Sequence, residues 1–207
     1  MQNGLKTKDY FMECKKTESK LIFKKIELNT FILIDEIDDE NLINELIKDV
    51  KKGVKISSVN RKTNIIGEHT NFDYFVNNPK FHKFLQKIRS SIYKIYKKNF
   101  IVNNVWGNIY SKPNDYAIEH NHDDSVVCGI LYCTNDSGPG TYFSQYDLLI
   151  KEKKGRFVLF HPQLLHEVKP YNYIDERITI AWNFSSIKKW ENINNIYYIK
   201  NKEEIKI

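Results

Sequence analysis

Six histidines occur in the 207-residue chain, and His120, His122, His161 and His166 fall in its C-terminal half. In the run YAIEHNHDDSVVCGILYC, residues two apart lie on one face of an extended strand, so His120 and His122 point the same way, and Asp124 joins them if the strand continues. A redox metal that must bind O2 and a chelating co-substrate needs three protein ligands on one face and three open positions. Imidazole and carboxylate side chains supply such a facial triad for Fe(II). His122-x-Asp124 is the right local pair, and His166 in FHPQLLHEVKPY is a sensible third ligand from a distant strand. A second register, His120 and His122 with His166, uses the same segment. The carboxylate register is preferred, because one anionic ligand is usual in this chemistry. His161 lies five positions before His166, on the opposite face of a regular strand, and is read as structural.

Eleven positions after His166, Arg177 opens the alternating run RITIAWNF. Arg177, Thr179, Ala181 and Asn183 share one face, with Ile178, Ile180, Trp182 and Phe184 on the other. An Arg turned into a barrel is a costly buried charge unless a carboxylate pairs with it. Its planar fork suits the distal carboxylate of 2-oxoglutarate, and the Thr179 hydroxyl adds a further hydrogen bond. Trp106, Asn108, Tyr110 and Tyr116 lie on strands leading to the same region and are candidate substrate-pocket residues. Each of these residues taken alone is an ordinary core or surface side chain; their joint order and spacing argue for a site.

Three motifs, HNHDDSVVCGILY, GRFVLFHPQLLHEVKPY and ERITIAWNF, lie within the stretch from about residue 106 to 184. Together they resemble the 2-oxoglutarate and Fe(II)-dependent oxygenase superfamily, in particular a compact group of about 200-residue oxygenases of bacteria and phages. The resemblance implies Fe(II) at His122 and His166, 2-oxoglutarate held by Arg177, and Tyr132 near the same carboxylate. It further implies O2-dependent hydroxylation with release of succinate and CO2. A protein side chain ranks first as substrate, then a small molecule or a nucleobase. Two other classes stay open: a cupin-type enzyme using His120, His122 and His166 without 2-oxoglutarate, and a jelly-roll binding module without catalysis.

The elements that must position these residues are legible in outline. Residues 1–20 are polar and Lys-rich and read as a flexible arm; 21–187 read as one domain with a jelly-roll core from about 102 to 187, and 188–207 as a C-terminal extension. Residues 21–37 supply two short β-like runs. Asp38 or Asp39 caps a helix with apolar positions Leu42, Ile43, Leu46, Ile47 and Val50, ended by Gly53. Asn78 and Pro79 open a second helix carrying Phe81, Phe84, Leu85, Ile88, Ile92 and Ile95. Strands are expected near 103–110, 116–122, 126–133, 141–150, 156–160, 165–169 and 177–184. Many short strands with punctuating turns indicate a double-stranded β-helix, or jelly roll, with two helices packed on one sheet.

Composition narrows the setting. Thirty-two Lys and Arg against 26 Asp and Glu give a net charge of +6, but the basic residues are scattered, which indicates a solvated surface more than a nucleic-acid footprint. The three cysteines, Cys14, Cys128 and Cys133, form no Cys-x-x-Cys pair, so a reducing cytoplasm is expected and a disulfide framework is not. No run approaches the roughly 20 apolar residues of a membrane span, and the N-terminus lacks a signal-peptide core.

Overall fold

A computed structural model describes residues 22–26, 30–57, 63–98, 100–122 and 124–186. The expected arm over 1–20, the extension over 188–207 and Cys14 lie outside the described residues. In chain order the elements are β1 (Ile22–Ile26), β2 (Thr30–Glu36), α1 (Glu40–Ile56), β3 (Ile65–Ile66), β4 (Glu68–His69), α2 (Pro79–Lys87), α3 (Arg89–Ile95), β5 (Phe100–Tyr110), β6 (Asp115–His120) and β7 (Val127–Tyr132). They continue through β8 (Thr141–Phe143), β9 (Leu148–Ile150), β10 (Arg156–Phe160), β11 (His166–Tyr171) and β12 (Arg177–Ser186).

The strands form two antiparallel sheets, one of seven strands in the order β1-β2-β10-β7-β12-β5-β4 and one of five in the order β3-β6-β11-β8-β9. The expected jelly-roll architecture with helices on one sheet is the observed one. Alternation along the central strand β12 sorts its side chains between two cores. Ile178, Ile180, Trp182 and Phe184 face the helices, where they bury Leu46, Val50, Phe81, Phe84 and Ile92. Ala181 faces the other sheet with Trp106, Ile130, Tyr132, Phe143 and Phe160, and Arg177 and Thr179 share that face. Among the described residues, the two clusters bury most of the large aliphatic, Phe and Trp side chains, the dominant favourable term in folding.

The helices start where their caps require. The Asp39 side chain accepts from Leu42 N at 3.0 Å, and the Asn78 side chain accepts from Lys80 N and Phe81 N, with Pro79 at the first helical position. Their ends differ from expectation. Gly53 does not stop α1, which runs on to Ile56. A Cβ at Gly53 would lie 2.6 Å from both Thr70 Cγ2 and Tyr74 Cε1, so glycine stands there because the helix packs closely on the segment after β4. The second helix is broken at Ile88, whose φ of −92° and ψ of 6° end α2 and begin α3, while both pieces keep their apolar stripe on the core. The expected strand over 141–150 is two strands joined by a 3-10 turn at Ser144–Tyr146. The short strands β3 and β4 carry no periodicity of their own and were not anticipated. Among the described residues, no helix is long and apolar enough to cross a membrane.

Candidate metal centre and anion cavity

β6 and β11 pair with His120 opposite His166. His122 lies two residues past the end of β6, where its backbone N–H donates to Pro162 O at 2.8 Å and fixes it beside the same pair. The ligating atoms of His120, His122 and His166 consequently all lie within 4.8 Å of one another. His120 Nδ1 is 2.6 Å from Ile118 O, and His166 Nδ1 is 3.0 Å from Leu164 O. Each Nδ1 must donate to its carbonyl, so Nε2 carries the lone pair, the tautomer a metal ligand needs. Burial holds all three imidazoles below their ordinary range. His120 is lowered by burial alone, His122 by burial and by His120 to about 4, and His166 well below the usual value by burial and by both other rings. All three are neutral donors at pH 7, a set that suits a divalent first-row metal.

Asp124 does not belong to this group. The strand ends at His120, and the chain turns before Asp124, which is exposed and whose main-chain oxygen lies 3.4 Å from Ser185 Oγ. The residues brought together are those of the register ranked second on sequence grounds, because strand alternation was extrapolated past the point where the strand stops. Asp123 lies outside the described residues. His161 sits apart, edge-on to Phe31 at 5.9 Å between ring centroids.

A cavity runs inward from the histidines between the sheets, past Trp106, Asn108, Thr141 and Thr179 to Arg177. Arg177 is 1% exposed. The Tyr110 ring lies 4.8 Å and the Tyr132 ring 5.8 Å from its guanidinium carbon. Thr179 Oγ1 accepts from Asn108 Nδ2 at 3.2 Å, which leaves the threonine hydroxyl its own hydrogen to donate. Tyr132 is not at the cavity wall. Its hydroxyl donates to Thr141 Oγ1 at 2.8 Å, so it orients a threonine that is there, and burial raises its phenol to about 12. Tyr110 is the tyrosine that meets both Arg177 and the cavity.

A second, outer cavity is lined by Asn64, Phe72, Asn104, Trp106, Asn121 and Asn183 together with His120 and His122, and it shares Trp106, Asn183 and both histidines with the first. Trp106 lines both cavities and Asn108 and Tyr110 the inner one, while Tyr116 lines neither.

Sequence reasoning missed Glu152. This residue is 4% exposed, and its Oε1 accepts a hydrogen bond from Arg177 Nε. Its Oε2 lies 2.9 Å from Ser137 Oγ, which in turn lies 2.8 Å from Thr134 Oγ1. Burial opposes the charge on Arg177, but Glu152 and the oxygens of Tyr110, Tyr132 and Tyr173 outweigh it and raise the guanidinium. Glu152 sits between β9 and β10 in a Lys-rich stretch with no alternation, so nothing local marked it as buried.

No family model and no curated protein matches the chain. Solved structures do. The fold resembles a viral collagen prolyl hydroxylase from Paramecium Bursaria Chlorella virus-1 in complex with 2-oxoglutarate, with a TM-score of 0.54 and 21% identity over 74% of this chain and 96% of that one. It also resembles a Pseudomonas putida prolyl-4-hydroxylase, with a TM-score of 0.56 and 14% identity over 72% of this chain and 89% of that one. A third match is HygX from Streptomyces hygroscopicus with nickel and 2-oxoglutarate bound, with a TM-score of 0.55 and 9% identity over 75% of this chain and 83% of that one. The fold is thus the jelly roll of 2-oxoglutarate-dependent oxygenases.

Proposed function

We propose that this chain is an Fe(II)- and 2-oxoglutarate-dependent dioxygenase that hydroxylates a side chain of a protein or peptide. One observation carries the reading: three neutral histidines whose ligating atoms lie within 4.8 Å of one another stand at one end of a cavity whose other end is a buried arginine. His120, His122 and His166 would hold Fe(II). Arg177, with the hydroxyls of Thr179 and Tyr110, would hold the distal carboxylate of 2-oxoglutarate, since a planar guanidinium binds a carboxylate through paired N–H donors. The bound metal and co-substrate supply O2 activation coupled to decarboxylation, releasing succinate and CO2. The protein's own part is to fix the two ends of the co-substrate and to line the approach of the substrate.

The outer cavity supports a peptide substrate. Trp106 Nε1 and Asn183 Oδ1 are buried without hydrogen-bond partners, and both residues line it. Turned to the cavity, they would offer one donor and one acceptor beside the histidines, the complement of an amide's C=O and N–H. The all-histidine donor set favours one alternative, a cupin-type metal enzyme that dispenses with 2-oxoglutarate.

Anaerobic titration of the metal-free protein with Fe(II) and 2-oxoglutarate tests the choice. A weak charge-transfer band in the visible that requires both components is the expected result, and its abolition in Arg177→Gln assigns the anchor. Iron binding without the band would overturn the dioxygenase reading in favour of the cupin-type one.

A further inference from the structure

Glu152 changes what Arg177 can do on its own. The guanidinium lines the cavity, whereas Glu152 stands behind it, away from the cavity wall. The carboxylate is held in turn. Ile178 N donates to Thr134 Oγ1 at 3.1 Å, and the Thr134 hydroxyl can then donate to Ser137 Oγ, whose own hydroxyl donates a hydrogen bond to Glu152 Oε2. Gly138 makes room for this arrangement, since a Cβ there would lie 2.7 Å from Arg177 Cδ. Such a pair is electrically neutral as a unit. An arriving dicarboxylate meets a cation already compensated at short range, in a region where charges interact strongly.

On the reading that Arg177 receives the co-substrate, the charges close in a particular way. Three neutral histidines bring no charge to the metal, the Arg177–Glu152 pair sums to zero, and a divalent metal with dianionic 2-oxoglutarate sums to zero. The anion that a carboxylate ligand would place on the metal stands instead at Glu152. We infer that Glu152 is a built-in counter-charge that weakens the hold of Arg177 on dicarboxylates, making co-substrate binding conditional on the metal and letting succinate leave. This inference rests on the dioxygenase reading.

Calorimetric titration of metal-free protein with glutarate and succinate, neither of which can chelate through a 2-oxo acid, tests it without any turnover. Wild-type protein is expected to bind both at least 100-fold more weakly than Mn(II)-loaded protein binds 2-oxoglutarate. Glu152→Gln keeps an acceptor for Arg177 Nε and removes the charge; it is expected to tighten glutarate and succinate at least tenfold. Glutarate binding in Glu152→Gln that is unchanged or weaker overturns the inference. Where Glu152→Gln fails to fold, the wild-type comparison decides, because metal-free wild type that holds glutarate as tightly as Mn(II)-loaded protein holds 2-oxoglutarate overturns it as well. Failure of Mn(II)-loaded wild type to bind 2-oxoglutarate at all removes the dioxygenase reading, and the inference falls with it.

Discussion

Replacing Arg177 by Met removes one member of a buried pair whose side chains are each 1% exposed. Glu152 then remains buried with Ser137 as its sole described hydrogen-bond donor. Breaking a buried pair by removing one partner costs about 3–5 kcal/mol, because the other charge is left uncompensated. For a domain of this size each kcal/mol lowers Tm by about 2–4 °C, so the single variant is expected to melt about 6–20 °C below wild type. Replacing both partners by uncharged residues of similar volume, Arg177→Met with Glu152→Gln, removes the orphaned charge and is expected to recover most of that loss. Urea unfolding and thermal melts of wild type, the two singles and the double close the cycle. A coupling energy below about 1 kcal/mol would refute the claim that these two side chains compensate each other inside the protein, since exposed pairs already reach that value.

His120→Ala is expected to weaken Fe(II) binding by more than the 10–100-fold typical of losing an outer-shell partner, while Asp124→Ala leaves it unchanged; equilibrium dialysis that finds the reverse restores the carboxylate register. The metal-free protein should lose stability as pH falls from about 6.5 toward 4. Below 6.5 the unfolded chain takes up protons on His122, while the folded ring, held to about 4, does not; a flat Tm over that range in wild type, or an equally steep fall in His122→Asn, refutes the assignment. Gly129→Ala places a Cβ 2.1 Å from the Trp182 ring carbons Cε2 and Cζ2 in the core. Overpacking of that kind costs about 1–3 kcal/mol, readable in urea unfolding, and wild-type stability would show that the indole can move aside.

Much of the fold was legible because its signals are local. Alternation in RITIAWNF sorted Arg177 and Thr179 from Ile178 and Ile180, and the structure keeps that division between the two cores. The caps at Asp39 and Asn78 were readable because a capping side chain bonds its own helix within three residues. Gly53 misled, since a glycine that admits a neighbouring loop looks in sequence like one that ends a helix.

The chain's sequence by itself determined the ingredients: histidines two apart, a distant His166, and an arginine on the inward face of a strand. Tertiary structure alone decided which of them meet. Strand β6 stops at His120, which turns Asp124 outward and leaves three imidazoles together. Glu152 reaches Arg177 across 25 residues of chain. Neither outcome has a local signature, because strand ends and long-range ion pairs are set by what packs against them, and a carboxylate's burial depends on a partner that sequence order does not bring near.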